Sequence, residues 1–398
     1  MELRYYQQKA LDAMQEDLNN SGASLVVMPT GAGKSLVIAG AALLRQPVLI
    51  LQPSVELVAQ NKTKLERIVD KNKIGVYSAS FNSRQVKTFT FATIQSVYKK
   101  PELFKDFQMI IIDECHQVGV RNLTGMFTSF LKTMSHAKVF GLTATPYRME
   151  TVYEKIGNDM YAATGIKMIN RMKMGGADGS IFWKRILSTV SHQKLVEDGY
   201  LVPLEYIHEP LLPYEEIPVN KSHSDFNLEA YSQAVIGMEA QILSTIAEAQ
   251  RKFKSVLVFC ADVEQAKRLS DIVKESQVVV GETSKKDRAK IVEDFKEGKI
   301  KTVFNVGCLT TGFDHPGLDC VVLLRPVRSP ILYQQMLGRL TRTAEGKTHG
   351  TVIDLTGSCK ALGRIESFEV FLKDGWAWDV RSEKVAGFHG RLLFRIKM

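Results

Sequence analysis

Residues 28–35 read Met-Pro-Thr-Gly-Ala-Gly-Lys-Ser, a glycine-rich turn that closes on Lys34 and Ser35. Glycines at Gly31 and Gly33, spaced by Ala32 and preceded by Pro29 and Thr30, let backbone N–H groups close around phosphate oxygens. Lys34 then reaches the β- and γ-phosphates, and Ser35 supplies a hydroxyl oxygen to Mg²⁺. A helix starting at this turn adds its positive dipole end. Downstream, Asp113 and Glu114 follow three isoleucines. Burial of that run leaves two carboxylates at a strand tip: Asp113 for Mg²⁺, and Glu114 to polarise an attacking water as general base. His116 has no second histidine beside it, so it is expected as a hydrogen-bonding link rather than a metal ligand. Thr143 and Thr145 flank an alanine at another strand end and suit a relay from this site to its neighbours. Arg339 and Arg342, three residues apart, share one helix face. Arginines arriving from a second domain neutralise charge that grows on a transferred phosphoryl group.

The elements that must position these groups follow from the apolar pattern. Strands are expected at 24–28, 47–52, 74–78, 88–92, 109–113 and 139–143, with helices at 34–45 and 55–69. Alternating strands and amphipathic helices predict a doubly wound parallel sheet. Ligands of such sheets sit at the carboxyl ends of the strands, where the Lys34 turn and Asp113 fall. A second alternating series begins near residue 255, with strands at 256–260, 278–280, 301–306, 320–324 and 351–355. The expected fold is therefore α/β, with two tandem units and a nucleotide cleft between them. The predicted boundaries are 1–148 for the first unit and 203–398 for the second, which ends in a basic tail. Residues 149–202 break the pattern, with a Gly-Gly-Ala-Asp-Gly run among Lys167, Arg171, Lys173, Lys184 and Arg185. They read as a basic connector or protruding element outside both sheets.

Composition bounds the rest. At 398 residues, 45% hydrophobic and 24% charged, the chain is an ordinary globular one long enough for two cores. The formal net charge of +9 suits a polyanionic partner. Five cysteines without a CxxC pair read as reduced thiols. No apolar run approaches the roughly 18–20 residues of a membrane span, and the first residues lack a signal-peptide core. A cytoplasmic or nucleoid-associated monomer is expected, with no membrane partner.

Taken in order, the motifs resemble those of the superfamily 2 helicases and translocases. The series runs through Arg4 and Gln7, residues 29–35, Asp113-Glu114-Cys115-His116, Thr143-Ala144-Thr145, Thr311-Gly312-Phe313-Asp314, and Gln335 to Arg342 with Gly338-Arg339 between. Within the superfamily the chain looks similar to the group of XPB-like helicases, type III restriction motors and phage branched-DNA helicases. The stretch Leu195-Val196-Glu197-Asp198-Gly199-Tyr200-Leu201-Val202-Pro203 resembles the lead into their second motor domain. The resemblance implies two RecA-like domains and the use of ATP with Mg²⁺. It implies adenine reading by Arg4 and Gln7, a place for Gly312 and Asp314 beside ribose and phosphates, and Gln335 in the catalytic set. It also implies a backbone grip on nucleic acid by Pro53, Ser54, Thr93, Gln95, Thr310 and Thr311, which holds a strand without reading its sequence. Val55 stands where DEAD-box RNA helicases carry arginine, and Cys115-His116 where they carry Ala-Asp, which favours DNA. Single-stranded and forked or branched DNA are the expected partners, with Lys167, Arg171 and Lys173 at the fork. RNA unwinding, duplex translocation without strand separation, and a non-hydrolysing clamp stay open as rivals.

Overall fold

Runs of isoleucine, valine and leucine buried on both faces set the strands of two sheets. The computed structural model describes residues 2–118, 125–155, 161–170, 182–221, 225–310, 313–373, 377–381 and 392–395. In chain order the first sheet holds β1 (Ala23–Val27), β2 (Val48–Gln52), β3 (Ile74–Ser78), β4 (Ser83–Arg84), β5 (Phe89–Thr93), β6 (Met109–Asp113) and β7 (Lys138–Thr143). A hairpin follows, β8 (Tyr147–Lys155) against β9 (Tyr161–Asn170), and then β10 (Trp183–Thr189). The first sheet has the order β10-β1-β7-β6-β2-β5-β3-β4. It is parallel throughout except for the short β3–β4 pair. Strands β1, β2, β6 and β7 are buried along their whole lengths, as a parallel sheet covered on both faces requires.

The second sheet holds β11 (Leu204–His208), β12 (Val256–Cys260), β13 (Ser276–Val279), β14 (Thr302–Asn305), β15 (Cys320–Leu324) and β16 (Gly350–Asp354). Its order is β11-β16-β15-β12-β14-β13, and every pair is parallel. Two RecA-like α/β units in tandem result. One buried apolar cluster contains Leu25 and Ile110 of the first sheet together with Leu257 and Val321 of the second, so the two units share a packed boundary. At the C-terminal end, β17 (Glu369–Lys373), β18 (Ala377–Arg381) and β19 (Leu392–Arg395) form a small antiparallel sheet.

One expectation is corrected. Residues 149–202 do not lie wholly outside the sheets, because β10 is an edge strand of the first sheet, parallel to β1. Trp183, Ile186 and Ser188 are buried, and Arg185 forms an ion pair with Asp17, which also accepts from Lys138 Nζ at 2.7 Å. The positive charge that suggested a free connector is thus partly neutralised within the first unit, whose sheet runs past residue 148.

Candidate nucleotide and nucleic-acid site

Three helices frame the site: α1 (Tyr5–Glu16), α2 (Lys34–Ala41) and α3 (Val55–Leu65). The turn between β1 and α2 carries Gly31 at φ 87° and Gly33 at φ 78°, left-handed conformations that favour glycine. Space imposes the same choice. A Cβ on Gly33 would lie 2.5 Å from Gln7 Nε2, and one on Gly31 would lie 2.9 Å from Leu201 Cδ2. Gln7 clamps the turn, its Nε2 donating to the Ala32 carbonyl at 3.0 Å while its Oε1 accepts from the Arg4 N–H at 3.0 Å. Tyr6 donates to the same carbonyl at 3.0 Å.

Lys34 Nζ sits 3.6 Å from Glu114 Oε1 and donates to the Met28 carbonyl at 3.4 Å. Glu114 adopts a left-handed backbone, φ 47°, which is uncommon for a residue with a side chain. Its N–H donates to Asp113 Oδ1 at 2.9 Å, and Asn61 Nδ2 donates to Asp113 Oδ2 at 3.2 Å. Burial first, and the Glu114 charge second, push the Asp113 carboxyl up to about 7. Burial also acts to raise Glu114, but Lys34 and a hydrogen bond from His116 outweigh it and hold this carboxyl well below its usual range. His116 Nδ1 lies 3.2 Å from Glu114 Oε2 and 3.0 Å from Thr143 Oγ1, and the Thr145 N–H donates to Thr143 Oγ1 at 3.0 Å. One chain of contacts therefore links Lys34, Glu114, His116, Thr143 and Thr145.

The second unit closes the site. A cleft of about 230 Å³ is lined by Thr30, Gly31, Gly33, Lys34, Ser35, Asp113 and Glu114 from one side. Asp314, Gln335, Arg339 and Arg342 line it from the other. Helix Pro330–Leu337 delivers Gln335 but ends before Arg339 and Arg342, so the two arginines do not share a helix face as their spacing suggests; they lie in the segment that follows. Arg339 donates to the Thr310 carbonyl from Nε (3.3 Å) and Nη2 (2.8 Å), and to the Phe313 carbonyl from Nη1 at 2.7 Å. Arg342 pairs with the Asp314 carboxylate. Burial opposes ionisation of both guanidiniums, yet arginine stays charged in proteins. Gln60 of α3 donates to Asp314 Oδ2 at 3.4 Å across the cleft.

A second cavity, about 590 Å³, is lined by Pro53, Ser54, Thr93 and Gln95 together with Arg84, Lys99, Lys100 and Lys285. Lys285 comes from the second unit, so the groove spans both. Ser54 also caps α3, its Oγ accepting from the Leu57 N–H at 3.4 Å. Thr310 stands apart from this groove: it is buried, and its hydroxyl donates to the Gly307 carbonyl at 3.0 Å. Thr311, Gly312, Arg171 and Lys173 lie outside the described residues, and the backbone of Lys167 lies opposite that of Glu150 in the register of the β8–β9 hairpin.

Sequence reasoning missed several members. Asn61 and Gln60 face the nucleotide side of α3, and Arg84, Lys99, Lys100 and Lys285 line the groove. The adjacent Lys99 and Lys100 were a visible signal. Lys285, followed by Lys286, gave a similar signal, whereas Gln60, Asn61 and Arg84 lie in amphipathic or irregular segments and carry none.

Comparison with known proteins points to one class of protein. Residues 1–148 match the family model described as "Type III restriction enzyme, res subunit", and residues 239–344 match "Helicase conserved C-terminal domain". The chain is 25% identical to IRC3 of Saccharomyces cerevisiae over 89% of its own length and 52% of that protein's. It is 24% identical to the DNA 3'-5' translocase XPB2 of Sulfurisphaera tokodaii, over 86% of this chain and 79% of that one. In solved structures the fold recurs in the type ISP restriction-modification enzyme LlaBIII bound to DNA. That match has a TM-score of 0.61 at 18% identity, over 89% of this chain and 28% of that one. The two family models and these relatives support a superfamily 2 helicase of the group that holds XPB-like and type III restriction motors. The chain spans about half the length of IRC3, 52%.

Proposed function

We propose that the chain is an ATP-driven DNA motor that moves on and unwinds forked or branched DNA. The observation that carries this reading is the cleft in which Lys34, Asp113 and Glu114 of one unit face Arg339 and Arg342 of the other. Phosphoryl transfer needs little beyond positioning and charge neutralisation, and both are divided here between two bodies. Lys34 and the turn's N–H groups hold the phosphates. Glu114, kept ionised by Lys34 and His116, takes the proton of the attacking water. Arg342 and Arg339 approach the γ-phosphoryl oxygens from the second unit. The Ser35 hydroxyl and the Asp113 carboxylate are hard oxygen donors that fit Mg²⁺, which when bound neutralises phosphate charge.

Closure around ATP and release after hydrolysis then alternate the distance between the units. The groove through Pro53, Ser54, Thr93 and Gln95, extended by Arg84, Lys99, Lys100 and Lys285, grips the backbone on both units, so each cycle advances the strand. DNA is favoured over RNA by the DNA translocase XPB2 among the relatives and by Val55 and the Cys115-His116 pair. We assign fork contact to the basic stretch around Lys167, Arg171 and Lys173, and a monomer as the working unit.

The test is strand separation on a forked DNA duplex with ATP and Mg²⁺, beside blunt duplex and an RNA fork. Unwinding of the DNA fork is expected, and alanine at Lys167, Arg171 and Lys173 should reduce it more than the ATPase stimulated by single strands. ATPase on duplex without strand separation would replace unwinding by translocation. Separation of the RNA fork alone would overturn the DNA assignment.

A further inference from the structure

The connector that joins the two sheets passes directly over the nucleotide turn, and its contacts are specific. Leu195 accepts two N–H groups, from Tyr200 at 2.8 Å and from Leu201 at 3.0 Å, which fixes the chain after Gly199. Leu201 then packs where a Gly31 side chain would be, and pairs as an isolated bridge with Arg342. The Val202 N–H donates to the Thr341 carbonyl at 2.7 Å. Residues 200–202 therefore touch the phosphate turn on one side and the backbone of the Arg342 segment on the other.

Tyr200 extends this contact to Arg4. The Arg4 guanidinium carbon lies 4.4 Å from the centroid of the Tyr200 ring, while its Nη1 donates to Tyr6 Oη at 3.0 Å. Tyr6 in turn meets Tyr200 edge to face, with centroids 5.5 Å apart. Arg4 and Tyr200 are both half-buried, so the stack is reachable from solvent. A guanidinium has two faces. Tyr200 takes one, which holds the plane in a fixed orientation, and a flat aromatic ligand would stack on the other.

We propose that Tyr200 is a nucleobase-positioning residue: it backs Arg4 so that the purine of the bound nucleotide stacks on the guanidinium. The connector is thereby part of the base pocket. Because the next two residues, Leu201 and Val202, pair with Arg342 and Thr341, an ordered base also steadies the segment that carries the second arginine. This rests on the reading of the cleft as an ATP site and adds to it a side chain from the segment that leads into the second unit.

The test compares a ligand with a base to one without. KM and kcat for ATP, and the inhibition constant of inorganic tripolyphosphate, are measured for the wild type and for Tyr200→Phe, Tyr200→Leu and Tyr200→Ala. Tyr200→Phe keeps the ring and should stay within about twofold of the wild type. Tyr200→Leu keeps bulk without a π face, and with Tyr200→Ala should raise KM for ATP by roughly tenfold, the size of one stacking contact. Neither should change inhibition by tripolyphosphate, which has no base to stack. Equal weakening of ATP and tripolyphosphate in Leu and Ala would show a general effect on the phosphate turn and overturn the assignment, as would an unchanged KM. A wild-type protein that hydrolyses no ATP would overturn the nucleotide reading itself, and is told apart because the variants are then compared with nothing.

Discussion

Arg342 is paired with the Asp314 carboxylate of its own unit, although it lines the same cleft as Lys34 and Glu114. A guanidinium bound this way must exchange its partner for the γ-phosphate before it can act on phosphoryl transfer. Asp314 also accepts from Gln60 across the cleft, so it competes for groups on both sides. Asp314→Asn weakens that hold and should raise hydrolysis in the absence of nucleic acid several-fold, about 1 kcal/mol of barrier. Stimulation by DNA should shrink in the same proportion. Steady-state rates with and without single strands measure both. A basal rate that falls would instead give Asp314 a direct nucleotide contact.

The two arginines should separate under mutation. Arg339 satisfies the Thr310 and Phe313 carbonyls with three donors, and charge-assisted bonds of this kind are worth about 1.5–3 kcal/mol each. Arg339→Ala is expected to destabilise the second unit by roughly 2–4 kcal/mol, seen as a lower denaturant midpoint, besides losing turnover. Arg342→Ala should lose turnover with a midpoint close to that of the wild type. Equal midpoints for both would contradict the buttressing role of Arg339.

Mg²⁺ binding should depend on pH through Asp113. Its carboxyl is pushed up to about 7 by burial and by Glu114, so below that pH a proton competes with the metal. Apparent Mg²⁺ affinity in the presence of ATP is expected to fall by up to about tenfold per pH unit below 7 and to level off above it. The sign follows from the raised value: the deprotonated form, which binds the cation, is complete only above pH 7. Titration of ATP binding against Mg²⁺ at pH 6 and pH 8 checks this. Equal affinities would mean that Asp113 is already ionised throughout.

Much of the nucleotide side could be read before any coordinates. The Lys34 turn, the Asp113-Glu114 pair and the Arg339–Arg342 spacing are local patterns in which residue type and separation carry the chemistry, and the cleft brings them together. Strand β6 was equally legible, because three consecutive isoleucines bury on both faces. Strand β10 was not. Its Trp-Lys-Arg-Ile-Leu-Ser-Thr run interrupts the apolar pattern with two adjacent cations, and only the distant Asp17 shows that Arg185 belongs inside the first unit. The contact of Tyr200 with Arg4 was invisible for the same reason, since a separation of nearly two hundred residues is resolved only by the fold.

The groove residues that escaped sequence reasoning give an electrostatic prediction. Lys99, Lys100 and Lys285 to alanine should weaken binding of single-stranded DNA without altering sequence preference. Each lost phosphate contact lowers the slope of log affinity against log salt by about 0.7, so the triple change should lower it by about 2. Fluorescence anisotropy across a salt series measures it. An unchanged slope would place the strand elsewhere.

The central claim, a nucleic-acid-stimulated ATPase whose general base is Glu114, is tested most directly by ATP hydrolysis with and without single-stranded DNA in the wild type and in Glu114→Gln. The wild type should be accelerated by the strand. Glu114→Gln should still bind ATP while its turnover drops by roughly 10²–10⁴-fold. Undiminished hydrolysis in the variant, or a wild-type rate indifferent to every nucleic acid, would contradict it.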